Sequence, residues 1–165
     1  MKKNVNKLTF MALLTTIMLI LGYIESLFPI PGIPGIKLGL SNGVLIFAIY
    51  MLGIPTAFVL MLLKVVLSGL MFGGVSAMMY AMAGGLLSMV CMTLLSRVKG
   101  VSPIVVSMIG GVMHNVGQVG LAMLMLNTPK LLYYMAILMG VGLACGALTG
   151  VCADSVMKHL KKIRK

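Results

Sequence analysis

Few residues of this 165-residue chain carry polar chemistry, and several of these interrupt long apolar stretches. His114 and Gln118 are four residues apart, which places them on one face of a helix, with Asn115 beside them. Lys64 lies near the middle of another apolar stretch. Because a charged group in a bilayer core costs about 3 kcal/mol, such residues predict a binding site. For the His114 face, the competing interpretation is hydrogen bonding that holds neighbouring helices together.

A second polar group surrounds a segment rich in proline and glycine, FPIPGIPGIKLGLSNG, residues 28–43. Glu25 precedes this segment, and Lys37 and Asn42 lie within it. Glu25 is expected either to bind a ligand or to form a salt bridge with Lys37 or Lys64. Lys37 suits an interfacial anchor as well as a ligand contact. Lys64 lies too far from either end of its stretch to extend easily to an interface, which favours an internal partner or an anionic ligand.

Catalysis has little support in the sequence. Prenyl-transfer and phosphatase sites need clustered carboxylates to hold magnesium, but this chain has only two acidic residues, Glu25 and Asp154. Asp154 is expected to form an ion pair in the basic tail. There is no Walker motif for ATP. We therefore predict that the protein is not an enzyme and that it has no catalytic residues, no metal site and no cofactor.

The elements that must position these residues are membrane helices. The chain is 61% hydrophobic and 9% charged, far from the usual composition of a soluble domain. At about 20 residues per crossing, the apolar stretches predict an all-α integral membrane protein, with residues 1–165 forming one compact bundle of six transmembrane helices. Because the second and third stretches are short, tilted or partly broken helices are expected there. The predicted spans are about 8–28, 38–52, 56–72, 76–95, 103–126 and 131–157.

The basic residues indicate the orientation. Although the net charge is +11, these residues lie mostly at the ends of apolar stretches, which argues against nucleic-acid binding. Lys2, Lys3, Lys7, the Arg97/Lys99 loop and the basic tail fall on one side if both termini are cytoplasmic, as the positive-inside rule requires. We therefore predict a multi-pass protein of a cell membrane, of the bacterial inner-membrane type, with both termini in the cytoplasm.

Four segments resemble the Gx transporter family, which is also labelled heptaprenyl diphosphate synthase component I. They are, in chain order, YIESLFPIPGIPGIKLGLSN, LKVVLSGLMFGG, AMAGGLLSMVCM and GGVMHNVGQ. That family is similar to the substrate-binding S components of energy-coupling-factor (ECF) importers. The resemblance implies six helices, a vitamin-sized ligand captured from outside, and partners in the form of a transmembrane coupling subunit and two ATPase subunits. The synthase label hints at a quinone, naphthoate or isoprenoid precursor as the ligand.

The resemblance also suggests roles for particular residues. A face of small residues on the first helix of S components docks the coupling subunit, and Ala12 and Thr16 have the corresponding spacing. Lys64 stands where the family commonly has an arginine, so the charge is kept without the bidentate fork. The alternatives are a non-transporting membrane accessory of a polyprenyl diphosphate synthase or redox enzyme, and a solitary transporter that works without ATP. The predicted substrate-binding residues are Glu25, Lys37, Asn42, Lys64, His114, Asn115 and Gln118.

Overall fold

The computed structural model describes residues 2–27 and 37–163, apart from the side chains of residues 2–4 and 6, and the described residues form six α-helices and no strand. The proline-rich segment between α1 and Lys37 therefore lies outside the described residues. A π-helical turn, Gly69–Gly73, joins the third helix to the fourth. The helices are α1 (Lys2–Leu27), α2 (Asn42–Met51), α3 (Ile54–Ser68), α4 (Gly74–Ser96), α5 (Pro103–Leu126) and α6 (Leu131–Ile163).

The prediction of an all-α, multi-pass membrane protein is confirmed. Four helical stretches of the described chain are long and apolar enough to cross a membrane. They are Lys7–Leu27, Ile54–Ser96, Pro103–Leu126 and Leu131–Ile163.

Within the second predicted span, 38–52, only Asn42–Met51 is helical, which agrees with the expectation of a partly broken helix there. The helix there has 10 residues, which corresponds to about 15 Å at 1.5 Å per residue, half of a hydrocarbon core of about 30 Å. The chain is non-helical through residues 37–39 and turns at residues 40–41 before α2 begins. Other predicted bounds shift less: α1 begins at Lys2, and α6 continues to Ile163.

The 43-residue stretch Ile54–Ser96 folds back on itself. Gly74 has φ +72°, a left-handed conformation that suits glycine and ends the π-helical turn. Beyond it the chain runs antiparallel to α3, since Gly69 faces Met78 and Met61 faces Gly85. The glycines allow the two helices to approach closely, because a Cβ on Gly69 would lie 2.8 Å from the Cβ of Met78.

α5 has clear end signals and the same bounds as the predicted fifth span. The Ser102 hydroxyl accepts a hydrogen bond from the Val105 amide, and Pro103 occupies the first turn, where its missing N–H costs nothing. Asn127 ends the helix in the left-handed conformation.

The short helix α2 lies at the centre of the bundle. Most of its residues are buried, and it contacts the other five helices. α1 packs mainly against α3, and α5 lies between α4 and α6. This arrangement brings the start of α2, the end of α1 and the middles of α3 and α5 towards one another. The core includes fully buried Met18, Ile46, Leu60, Met61 and Met92.

Candidate functional site

Every residue that the sequence predicts for substrate binding is buried, and none is more than 6% exposed. They come from the end of α1, the segment that enters α2, the middle of α3 and the middle of α5. We call them the polar cluster. Its members are Glu25, Lys37, Asn42, Lys64, His114, Asn115 and Gln118.

Gln118 attaches the segment that enters α2 to α5. Its Oε1 accepts a hydrogen bond from the Lys37 amide at 2.9 Å, and its Nε2 donates to the Lys37 carbonyl at 3.1 Å. Both ends of the side-chain amide therefore satisfy backbone groups that have no helical partner. This contact fixes the position of Lys37, and it leaves Gln118 one N–H for any further contact.

His114 lies between two glycines that are far apart in sequence. A Cβ on Gly39 would lie 3.2 Å from the His114 Cδ2 atom, and a Cβ on Gly84 would lie 3.0 Å from its Nδ1. The Gly39 φ of +87° also favours glycine. Neither ring nitrogen of His114 has a hydrogen-bond partner among the described residues. The imidazole is therefore closely packed between these two glycines, with its Nδ1 facing Gly84.

Glu25 binds backbone and not a lysine. Its Oε1 accepts a hydrogen bond from the Leu40 amide, and its Oε2 has no partner within the described part of the chain. Neither Lys37 nor Lys64 lies within ion-pairing distance of this carboxylate in that part. The alternative of a direct salt bridge from Glu25 is therefore not realised, although all three charges are buried in one region.

The two lysines of the polar cluster extend towards the π-helical turn. The Lys37 Nζ lies 4.8 Å from the ring centroid of Phe72, a cation–π contact. A Cβ on Gly22 would lie 3.8 Å from Phe72 and 3.9 Å from the Lys64 Cε. Burial lowers the pKa of Lys37, the Lys64 charge lowers this pKa further, and Glu25 acts in the opposite direction. With Lys37 and Lys64 against Glu25, the cluster has one more basic group than acidic groups.

Asn115 connects α5 to α6. Its Nδ2 donates a hydrogen bond of 2.7 Å to the Leu138 carbonyl, which is the helix-joining role weighed for this face. Its Oδ1 has no partner among the described residues. Other buried polar atoms without a described partner cluster in the same region. They are Glu25 Oε2, Ser41 Oγ, Asn42 Nδ2, His114 Nδ1 and His114 Nε2.

These atoms offer both donors and acceptors beside an excess of basic groups. Leaving a buried polar group without a partner costs about 1–3 kcal/mol, so a ligand that satisfies several of them would gain affinity. The arrangement therefore suits a small polar or anionic molecule. Within residues 2–27 and 37–163, no three His, Cys, Asp or Glu side chains come together in a way that would hold a metal ion.

Two other predicted features, a docking face and an ion pair, lie away from the polar cluster. Ala12 and Thr16, predicted to dock a coupling subunit, are exposed on α1, and the Thr16 hydroxyl donates to the Ala12 carbonyl at 3.0 Å. The ion pair expected for Asp154 is confirmed, since Lys158 Nζ lies 2.6 Å from its carboxylate.

The sequence interpretation missed Phe72 and Ser41. Phe72 lies beneath Lys37. Ser41 is buried next to Asn42, and its hydroxyl has no partner among the described residues. The Gly73-Gly74 pair after Phe72 marked the end of a span but did not indicate that a π-helical turn would direct the ring inward. Ser41 adjoins Asn42 in the SN dipeptide, and this adjacency was the available signal.

Comparison with known proteins identifies one family. The family model described as "Heptaprenyl diphosphate synthase component I" matches residues 14–156, which include the whole polar cluster and Thr16 but not Ala12. No curated protein and no solved structure matches the chain.

Proposed function

Because the chain belongs to the heptaprenyl diphosphate synthase component I family, we propose that it is a membrane-embedded accessory component of a polyprenyl diphosphate synthase. The observation that supports this proposal is the family match across nearly all of the helical region. The description names a component, and in this proposal the reaction itself belongs to another chain. The residues agree with this division, because prenyl transfer needs clustered carboxylates to hold magnesium.

The two acidic residues cannot form such a cluster. Glu25 lies near the carboxyl end of α1. Asp154 lies in the last part of α6, where it pairs with Lys158. In the proposed assembly this chain supplies a membrane anchor and the polar cluster, which holds a small polar or anionic molecule. A partner subunit supplies the magnesium-dependent chemistry.

The proposal includes a topology of six segments with both termini in the cytoplasm. α3 with its π-helical turn has about the length of one crossing, and so does α4. α2 enters the bundle as a short helix surrounded by the other five. The basic residues of the amino terminus, the Arg97/Lys99 loop and the end of α6 face the cytoplasm, in accordance with the positive-inside rule.

Co-purification tests the accessory role. The tagged chain, extracted from membranes in mild detergent, is expected to retain a soluble prenyl synthase subunit, and adding the chain should raise the activity of that subunit. The variant His114→Ala tests whether the polar cluster contributes, and His159→Ala, the other histidine, is the exposed control. Retention of a coupling subunit and ATPases in place of a synthase subunit would overturn the proposal.

A second function, that of an ECF-type S component, is favoured by the closed polar cluster. Seven buried polar residues with several unpartnered atoms form more of a binding site than an anchor requires. In that case the chain captures a vitamin-like or quinone-precursor-like metabolite from outside. The exposed face of α1 at Ala12 and Thr16 then docks the coupling subunit, which two ATPase subunits drive.

Native mass spectrometry of the purified protein tests this second function through any retained small molecule. Lys64→Ala and His114→Ala are expected to weaken binding of that molecule, whereas Lys130→Ala, an exposed lysine, should not. If both cluster variants kept affinity within about twofold, or roughly 0.4 kcal/mol, the polar cluster would not be the binding site. Uptake that requires the coupling subunit would distinguish an importer from an accessory protein.

A further inference from the structure

A groove of about 540 Å³ lies between α1 and α6, with α2 as its floor. In the described part of the chain the backbones of α1 and α6 do not approach each other closely, whereas both approach α2. Gly43 allows α2 to approach α6, because a Cβ there would lie 2.5 Å from the Cβ of Thr149. The groove therefore has three helical walls and is more enclosed than the convex surface of a single membrane helix.

The lining of this groove is apolar. The one hydroxyl in it, that of Thr149, donates to the Cys145 carbonyl at 2.9 Å and is therefore already satisfied. A hydrocarbon chain fits such a lining, because it needs no hydrogen-bond partner. Residues of the lining include Phe10, Leu14, Ile17, Val44, Phe47 and Val156.

One end of the groove opens onto basic residues. At this end the lining finishes with Phe10 on α1 and Leu160 on α6. Lys7 lies one turn before Phe10, and Lys161 and Lys162 belong to the last turn of α6. All three lysines are exposed, so their ammonium groups remain available at the edge of the apolar region.

Acidic residues do not neutralise this end. The nearest one in sequence, Asp154, already pairs with Lys158 at 2.6 Å, and the only other acidic residue of the chain, Glu25, lies in the polar cluster. The groove therefore combines an apolar channel with an anion-attracting rim. This combination is complementary to an amphiphile that has a long hydrocarbon chain and a strongly anionic head.

We propose that the groove binds the prenyl chain of a polyprenyl diphosphate, with the diphosphate at Lys7 and the lysines that end α6. This inference rests on the proposed function, because the family description supplies the amphiphile. It assigns the groove to the prenyl product or its precursor and leaves the polar cluster to a separate small molecule. A phospholipid has the same charge pattern, and the experiments below distinguish it.

Binding of geranylgeranyl diphosphate to the purified chain in detergent tests the groove. Val156→Trp places a large side chain at the lining, and Val151→Trp is its matched control on the same helix. The two valines are 50% and 49% exposed, but only Val156 lines the groove. Val156→Trp is expected to weaken binding about tenfold, the equivalent of about 1.4 kcal/mol, and Val151→Trp should leave it within about twofold.

The lysine rim is tested with a pair of double variants. The double variant Lys7→Gln/Lys161→Gln should weaken binding of geranylgeranyl diphosphate about fivefold for each lysine removed. Its binding of geranylgeraniol, which has no diphosphate, should be unchanged. Arg97→Gln with Lys99→Gln removes the same charge from the loop between α4 and α5 and should have little effect.

A test on the unaltered chain avoids any folding defect of the variants. Cys152 is exposed and lines the groove, and Cys91 on α4 serves as an internal reference. Geranylgeranyl diphosphate should slow maleimide labelling of Cys152 severalfold but not that of Cys91.

Three results would overturn the inference: unchanged binding in Val156→Trp, unprotected Cys152, or equal competition by phosphatidylglycerol. The last would identify a general lipid groove. Since these assays need no synthase subunit, their failure is distinguishable from failure of the accessory role, which co-purification measures.

Discussion

The side of α6 that packs against α5 differs from the side that faces α1. Against α5, Gly142 meets Gly111 so closely that a Cβ on either would collide with the backbone of the other helix. Towards α1, the same helix presents Thr149 and Val156 across a groove, and the backbones of α1 and α6 do not approach each other closely in the described chain. One helix thus has a face of small residues that fixes a close contact and a face of larger residues that leaves space.

The difference separates a closely packed side of α6 from a side that leaves space. In lipid, helices associate through close packing and interhelical hydrogen bonds, because apolar residues gain little from leaving an apolar solvent. The α5–α6 contact has both, through its glycines and the hydrogen bond from Asn115 to Leu138. The α1 side has bulky apolar residues, which a lipid or prenyl chain can replace at similar cost.

The largest effect on stability is expected from adding a side chain where α5 and α6 meet. In Gly142→Ala the added carbon would lie 2.6 Å from the Asn115 Nδ2 and 2.7 Å from the Gly111 carbonyl oxygen. We expect a loss of about 2 kcal/mol in unfolding free energy, measured by denaturant unfolding in detergent.

Gly140→Ala is the matched control, since its added carbon would meet no atom within 4 Å. Alanine favours a helix over glycine by up to about 1 kcal/mol, so this variant should be as stable as the native chain or more stable. Equal destabilisation by the two variants would contradict the close contact between α5 and α6.

Removing the hydrogen bonds that attach the segment before α2 to α5 should destabilise the protein somewhat less than Gly142→Ala does. Gln118→Ala loses both hydrogen bonds to the Lys37 backbone and leaves a buried amide and carbonyl without partners. The expected cost is about 1–2 kcal/mol. Hydrogen exchange at the Lys37 amide should quicken before the exchange of α5 amides does, and unchanged protection at Lys37 would rule out this attachment.

Deleting the hydrogen bond between α5 and α6 should cost less. Asn115→Ala removes the bond to the Leu138 carbonyl, and bonds between membrane helices contribute about 0.6 kcal/mol on average. In combination with Gly142→Ala the losses should be less than additive, because Asn115 is one of the groups that the new methyl meets. If the two losses were strictly additive, the methyl group added in Gly142→Ala would collide only with Gly111 and not with Asn115.

The smallest effect on stability is expected on the α1 face. Ala12 is exposed and lies away from α5 and α6, so Ala12→Leu should change unfolding free energy by less than about 0.5 kcal/mol. If the second candidate function is correct, the same variant should reduce capture of the coupling subunit in pull-down experiments. Unfolding by Ala12→Leu would show that this face packs within the bundle.

The sequence predicted much of the helical framework, and the reasons are local. α5 has the predicted bounds because Ser102, Pro103 and Asn127 provide end signals that act within a few residues. The polar cluster was also recognisable, since polar side chains in apolar stretches are costly unless they face the interior. All of its members are buried.

Other features depended on contacts between distant segments. The apolar run 38–52 resembled one span, but the backbone of Lys37 bonds to Gln118 and Glu25 binds the Leu40 amide, so helix begins only at Asn42. The salt bridge weighed for Glu25 also depended on such contacts: one carboxylate oxygen binds the Leu40 amide, and neither lysine lies within ion-pairing distance in the described chain.

Composition and pattern by themselves determined that this chain is helical, that it lies in a membrane and that the residues of the polar cluster face inward. These properties follow from the free-energy cost of exposing backbone and charged groups to lipid. That cost depends on the type of residue and not on which residues it packs against. Only the tertiary structure decided that α2 is short and central, that Phe72 lies beneath Lys37, and that α6 contacts α5 but leaves a groove beside α1. Those outcomes depend on which side chains of different helices contact each other, and the spacing of residues along the chain does not specify these contacts.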